Sequence, residues 1–542
     1  MLPGWARLPR SWLRNPYRSL CSGTMSKPKK DLIVILGTTG TGKSKLAVEL
    51  SLFLSQSSGL ARAEVINGDS MQVYKGLDVL TNKVTPSEMS GVPHHLMSFL
   101  DINDPYTVER FRDDALKKIQ ELHQKDRLPI VVGGTGYYIQ NLILPGRLVK
   151  DAQPTIINSQ KDLCVVQSTD SAHHLLDTSS IITQCIQREF HPRLIQSFKN
   201  LPPDLIQLCF LLPSLPPFST PKEFPPDFPT HLLPSNYQPP SATAQDFCIA
   251  LHAALKVVDP VMAGRWHWRD LRKVRRSLEV AVCTGRRMSD LVVKQDQNDQ
   301  LPQVNQDRVP YRTLIFWLYA HTAQLVPRLD TRVDTMVNNG LLEEVQELKK
   351  SRSLIDCDSK TDFSRGPYQA IGYQEFESCH NTQDPHKRHK EVQKAIELTK
   401  ISTRQYAKSQ VKWITNKFIP ELNKFDDEST QLNFYLLDAS SLQDWDLNVL
   451  TPAQNILNAF LNQEELPLPE SLSPIATSIL SQAKTKATRS LEQLQLKLCT
   501  VCTTDVDKPV LIEQSSWDEH LKSKRHKKAA TPPRFPHPKT GG

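Results

Sequence analysis

Long apolar runs are missing from this 542-residue chain: none reaches the length needed to span a bilayer, so no membrane partner is expected. A secretory signal is missing too, and the ten cysteines are scattered apart from one close pair, a usage that points to a reducing compartment. Acid is absent from residues 1–30, where Arg7, Arg10, Arg14, Arg18, Lys27, Lys29 and Lys30 give a net +7. Residues 517–542 add +5, so of the total +8 the body between them carries −4. That balance excludes a uniformly basic nucleic-acid surface, and any RNA contact must come from local patches. Charge is also scarce in residues 201–240, with four charged side chains against twelve prolines, which argues against a packed helical domain there.

What is present is organised around Gly37–Ser44, GTTGTGKS. The apolar run Leu32–Leu36 precedes it as a buried strand, and Leu46, Leu50 and Phe53 follow at helical spacing. Strand, glycine-rich loop and helix together make a phosphate site. The backbone N–H groups of Gly37, Thr38, Thr39, Gly40, Thr41 and Gly42 turn inward at a helix N-terminus. Lys43 reaches the outer phosphates, and the Ser44 hydroxyl is a ligand for Mg²⁺. The loop leaves open which di- or triphosphate binds, and whether it is substrate, product or fuel.

Further along, Glu64–Asp69 reads as a second strand ending in an acid, which a parallel sheet places beside the phosphate loop. Tyr106–Lys125 has one apolar helical face, Val108, Phe111, Ala115, Ile119 and Leu122. Pro129–Val132 is a third strand running into a second glycine-rich turn, Gly133–Tyr138. Two basic stripes follow: Arg265, Arg269, Arg272 and Arg276 on one helical face with Lys273 and Arg275 beside it, and Lys400, Arg404, Lys408 and Lys412 at steps of four. Such spacing repels itself on an isolated helix, and a polyanion would relieve it. Thr313–Tyr319 reads as a strand and Leu325–Lys350 as a helix broken near Gly340, while residues 420–495 show no site motif. Cys499, Cys502, His520 and His526 then have the donor types and spacing of a tetrahedral zinc site. The Lys522–Lys528 run overlapping it suits either nuclear import or RNA charge. Residues 1–30, with Trp5, Leu8, Trp12 and Leu13 among the arginines, have the composition of a mitochondrial presequence. A start at Met25 would remove most of it, so mitochondrial and cytoplasmic pools are expected, with a nuclear one if the basic run serves import.

In this order, GTTGTGKS, INGDSMQVYKGLDVLTNK, GVPHHL and VVGGTGYYIQ resemble the tRNA dimethylallyltransferases, or tRNA isopentenyltransferases. The likeness continues through Val258–Val280, Leu325–Val345, Gln369–Phe376 and Thr403–Ile414, and eukaryotic members similarly carry a C-terminal zinc finger. It covers most of residues 31–150 and 250–415 and fails over 151–247. The resemblance implies an α/β fold: a P-loop NTPase-like parallel sheet flanked by helices, with a largely helical insertion and a C-terminal matrin-type C2H2 finger. The expected divisions are a presequence-like tail (1–30), catalytic core (31–150 and 301–425), a Pro-rich, poorly specified insertion (151–247) and a helical, tRNA-contacting segment (248–300). A linker (426–495), the finger (496–530) and a tail (531–542) complete them.

The same resemblance implies transfer of a dimethylallyl group from its diphosphate to N6 of the adenosine 3′ of the anticodon, by a monomer that binds the anticodon stem-loop of tRNA. It makes Asp69 the general base, Arg332 a diphosphate ligand beside Lys43, and Thr135 a contact to the reacting nucleotide. It assigns tRNA contacts to Ser70, Met71 and Gln72, to Arg272, Lys273, Val274, Arg275 and Arg276, and to Gln369, Ala370, Ile371, Gly372 and Tyr373. Arg404 and Lys408, from the second basic stripe, join them as RNA contacts on charge. Mg²⁺ and a structural Zn²⁺ are the expected ions. The competing readings are a P-loop kinase, an isopentenyltransferase on free adenine nucleotides and a non-catalytic RNA-binding protein. Neither the kinase nor the free-nucleotide enzyme needs the finger.

Overall fold

The structure is a computed structural model that describes residues 29–56, 62–144, 178–215, 224, 228–238, 242–299, 310–353, 366–377, 379, 384–425, 431–484, 495–503 and 510–530. The presequence-like residues 1–28, the stretch 145–177 with His173 and His174, and the tail 531–542 lie outside the described residues.

Six parallel strands form the central sheet in the order β3-β2-β4-β1-β5-β6. They are β1 (Lys30–Gly37), β2 (Ala63–Asn67), β3 (His94–His95), β4 (Leu128–Gly133), β5 (Tyr311–Tyr319) and β6 (Leu432–Asp438). The central β1 is buried on both faces, which is why it reads as an unbroken apolar run. Leu32, Val34 and Leu36 pack with Phe111, Ala115 and Ile119 of helix Val108–Gln124, while Ile33 and Ile35 pack with Leu46, Leu50 and Leu54 of helix Lys43–Gln56. Register pairs Ile33 with Ile130 and Val34 with Ile315, so the ends of β1 and β4 align and their glycine-rich turns open on one edge.

Two expectations of the sequence are corrected. Residues 426–495 are no mere linker: β6 pairs with β5 (Trp317 opposite Leu436), and helix Thr451–Leu461 buries Ala453, Ile456, Leu457 and Phe460 against the sheet. The second concerns residues 178–258, whose described part holds four α-helices: Thr178–Gln187, Pro192–Lys199, Pro203–Leu211 and Ala244–Val258. They share one core, with Leu194, Phe198, Leu208, Phe247, Leu251 and Leu255 all fully buried, and helix Leu271–Thr284 joins through Leu271, Val274 and Leu278. The prolines do not oppose this, because Pro192 and Pro203 occupy first helical turns, where no N–H is needed, and Pro229 and Pro234 precede single-turn helices. Scarce charge here reflects burial.

Gly340 separates helices Thr322–Asn338 and Leu341–Ser353, as read from the sequence. The long helix Pro385–Trp413 crosses the open edge of the sheet, and Gln410 on it reaches both glycine-rich turns.

Candidate active site

The Gly37–Ser44 loop closes between β1 and helix Lys43–Gln56 and is held by its own side chains: Thr41 Oγ1 donates to Thr38 O at 2.9 Å, and Lys43 Nζ to the same carbonyl at 2.7 Å. Gly42 has φ +87°, and a Cβ there would lie 2.7 Å from the Trp445 ring. Only glycine fits that backbone and that contact. The same indole lies 4.6 Å from Lys45 Nζ and donates to Glu49 at 2.8 Å, so the segment after β6 braces the loop from behind. Ser44 is exposed in the first turn of its helix.

Asp69 lies just beyond β2 in a turn that Asn67 shapes. Its N–H donates to Asn67 Oδ1 at 3.0 Å, and Asn67 Nδ2 donates to Asp69 O at 3.0 Å. One carboxylate oxygen accepts the Met71 N–H at 2.9 Å. From β4 comes the second turn. There a Cβ on Gly133 would lie 2.2 Å from Gly68 O, so the two strand ends can close together only with glycine. Thr135 Oγ1 accepts the Ser70 N–H at 3.1 Å and donates to Ser70 Oγ at 3.3 Å, knitting the Asp69 turn to the GGTG turn. Gln72 turns back on its own segment, donating to Thr81 O at 3.2 Å.

Charge converges on this edge. The Lys43 ammonium is pushed down to about 8 by burial, with Arg332 adding to the effect and Asp69 opposing it. Burial also lowers the Arg332 guanidinium, again against the field of Asp69. Two half-buried cations and one carboxylate therefore act on one another's charge, an arrangement that suits an anion held beside a proton acceptor. Lys43, Asp69, Thr135 and Arg332, far apart in sequence, belong to one cleft. Arg332 is carried by helix Thr322–Asn338, whose Leu329 packs on Gly40 and whose Arg328 donates to the carbonyls of Ala439 and Ser440.

The basic residues divide into structural and surface groups. Arg265 ends helix Pro260–Arg265 and the chain turns before Leu271, so Arg265 and Arg269 do not share a helix with Arg272 and Arg276, contrary to the stripe read from spacing. Val274 and Arg275 are buried and are not RNA contacts: Arg275 donates to Glu279 at 2.6 Å and to Leu212 O at 2.6 Å inside the helical domain. Arg272 and Lys273 are exposed, and Arg272 and Arg276 exert their charge on the Tyr137 hydroxyl, which places this face opposite the GGTGYY turn. In the second stripe Lys400 pairs with Asp334 at 2.8 Å and Arg404 with Asp330 at 3.4 Å. Acids of a neighbouring helix, not a polyanion, offset that part of the repulsion, while Lys408 and Lys412 stay exposed.

Gln369, Ala370 and Ile371 line a groove of about 420 Å³ shared with Tyr368, Gln405 and Tyr406. Gly372 and Tyr373 are buried behind it, so their side of the expected RNA contact is structural. Tyr406 is exposed along the groove, and its hydroxyl's pKa is raised by desolvation and further by the charge of Asp69. Sequence reasoning missed Gln410 and Trp445. Gln410 lay inside a block quoted for its likeness, and no local pattern announces a glutamine that bridges loops.

The four residues Cys499, Cys502, His520 and His526 close on one another near the C-terminus, their ligand atoms all within 4.8 Å. Sγ of Cys499 and Nδ1 of His526 are 3.3 Å apart, and the two imidazole nitrogens 3.2 Å. Metal bonds of about 2.3 Å to sulfur and about 2.0 Å to nitrogen give tetrahedral edges of this size. The antiparallel pair β7 (Leu496–Leu498) and β8 (Leu511–Glu513) supports the cluster, and Gln495 Nε2 donates to Val261 O at 3.3 Å, docking it on the helical domain.

The family model described as IPP transferase matches residues 72–198 and 229–417, more than half of the chain. The chain belongs to the IPP transferase family. Among IPP transferase relatives, the tRNA dimethylallyltransferase of Schizosaccharomyces pombe is 33% identical over 506 residues, covering 92% of this chain and 94% of that protein. That of Saccharomyces cerevisiae is 30% identical, covering 93% of each. A solved eukaryotic dimethylallyltransferase acting on tRNA superposes with a TM-score of 0.62 at 28% identity, over 92% of this chain and 96% of that one. The IPP transferase fold thus extends beyond the matched segments, since β6 and Trp445 lie after residue 417.

Proposed function

We propose that this member of the IPP transferase family transfers a dimethylallyl group from dimethylallyl diphosphate to N6 of the adenosine 3′ of the anticodon in tRNA. The observation that carries the reading is the convergence of Lys43, Arg332 and Asp69 at the edge where both glycine-rich turns open. As the allylic C–O bond breaks, negative charge grows on the departing diphosphate, and the loop N–H groups, Lys43 and Arg332 stabilise it. The N6–C bond forms as the N6 proton passes to Asp69, so the products are the alkylated adenosine, diphosphate and a protonated carboxyl. Thr135, bound to Ser70, holds the nucleotide-facing turn in place.

Ser44 offers a hard hydroxyl oxygen at the loop's helix, which fits Mg²⁺, and when bound that ion adds charge stabilisation to the diphosphate. The sulfur and nitrogen donors of Cys499, Cys502, His520 and His526 suit Zn²⁺ in a structural finger. The exposed Arg272, Lys273 and Lys408, with the finger's Lys522–Lys528 run, supply phosphate contacts to the anticodon stem-loop. The reading takes the chain to act as a monomer. The acid-free residues 1–30 support mitochondrial import, with a cytoplasmic pool from a start at Met25 and a nuclear pool if Lys522–Lys528 serves import.

Incubation with radiolabelled dimethylallyl diphosphate and a synthetic anticodon stem-loop tests the reading. Label is expected in the RNA; label in free adenine nucleotide alone would overturn it, as would formation of ADP from ATP.

A further inference from the structure

Gln410 is 7% exposed and uses both ends of its amide on the two loops of the cleft. Its Oε1 accepts the Thr39 N–H of the phosphate loop at 3.0 Å, and its Nε2 donates to Gly134 O of the GGTG turn at 2.9 Å. These partners lie 371 and 276 residues away in sequence. A side-chain amide suits the position because it presents one acceptor and one donor on the same carbon. A carboxylate would keep the bond from Thr39 and face Gly134 O with like polarity. The same helix touches the cleft twice more. Trp413 packs so closely on Gly136 that a Cβ there would lie 2.3 Å from the ring, and the Tyr406 hydroxyl, one turn before Gln410, interacts with its amide in the field of Asp69.

Resting on the proposed reaction, we propose that Gln410 is a positioning residue that couples the two substrates. Diphosphate on the Gly37–Ser44 loop orders Thr39, Gln410 follows, and the GGTG turn that faces the nucleotide is fixed with it. Occupancy of either site then favours occupancy of the other, by the same factor in each direction.

The test is a binding cycle with the full chain, inorganic diphosphate and an anticodon stem-loop RNA. Calorimetry gives the diphosphate Kd with and without saturating RNA in wild type, Gln410→Glu and Tyr406→Phe. In wild type, RNA is expected to tighten diphosphate by at least about fivefold. In Gln410→Glu the factor falls to about one, alongside a lowered melting temperature from the buried carboxylate facing Gly134 O, and in Tyr406→Phe it is reduced. A purely structural glutamine would lower the melting temperature and leave the factor unchanged. A wild-type factor of one, or an undiminished factor in Gln410→Glu, overturns the proposal. If Gln410→Glu fails to fold, an undiminished factor in Tyr406→Phe does so. Label transfer by the wild type is measured alongside: its absence refutes the reaction, whereas transfer without coupling refutes only the role of Gln410.

Discussion

Asp69→Asn separates proton transfer from binding. The Asp69 oxygen that accepts the Met71 N–H at 2.9 Å is replaced by an amide carbonyl able to keep that bond, and the Asn67 contacts use the backbone, so the turn should survive. Basicity is lost, because an amide cannot take the N6 proton. Single-turnover transfer with both substrates saturating should fall by about 10²–10⁴-fold. That corresponds to about 2.7–5.5 kcal/mol of barrier at about 1.36 kcal/mol per tenfold. Donor binding should move the other way or stay put. Asp69 is the anion that opposes the charge of Lys43 and Arg332, and removing it leaves a more positive site for diphosphate. Asp69 also raises the Lys43 pKa, so the comparison is made well below about 8, where Lys43 stays charged in both proteins. Transfer within tenfold of wild type would refute the assignment. So would a loss that disappears at saturating dimethylallyl diphosphate.

Lys43 predicts a pH dependence of its own: burial holds the ammonium near about 8, below its ordinary 10.5, so the binding cation is lost as pH rises through about 8. Affinity for inorganic diphosphate should weaken above that point, with proton uptake on binding seen by calorimetry in buffers of different ionisation enthalpy; a flat profile would contradict it. Arg275→Met leaves Leu212 O and Glu279 without their buried partner and should destabilise the helical domain by about 3–5 kcal/mol. Exposed Arg272→Ala should stay within about 0.5 kcal/mol of wild-type stability yet weaken tRNA binding, and thermal melting beside filter binding checks both. Cys499→Ser opens the four-residue cluster and should weaken tRNA affinity while leaving the saturated rate little changed. A large fall in turnover at saturating tRNA would place the Cys/His cluster in the transition state.

The core of the fold was legible because its signals are local. An apolar run bounded by GTTGTGKS can be little else than strand and phosphate loop, and Phe111, Ala115 and Ile119 announce the helix that covers it. The zinc-type spacing was legible for the same reason. Reasoning failed where a residue's meaning depends on what packs against it. Twelve prolines in residues 201–240 suggested a loop, but described ones such as Pro203 and Pro234 open helical turns, and the stretch's leucines fill the domain core. Arg275 and Arg404 look alike in sequence to Arg272 and Lys408; Glu279, one turn on in the same helix, claims the first, and only the fold brings Asp330 to the second. β6 was overlooked because strand Leu432–Asp438 is recognisable only once β5 offers it an edge. Gln410 and Trp445 act across hundreds of residues, a distance at which no spacing rule operates.

The most direct test maps the modified nucleotide. The protein is incubated with dimethylallyl diphosphate and an anticodon stem-loop carrying a single adenosine 3′ of the anticodon, and the RNA is then digested and its nucleosides identified by mass spectrometry. One dimethylallyl group on N6 of that adenosine is expected, with none when the position holds guanosine and none in the Asp69→Asn protein within one wild-type turnover time. Modification at other adenosines, or an unmodified RNA in the presence of active, diphosphate-binding protein, would contradict the account.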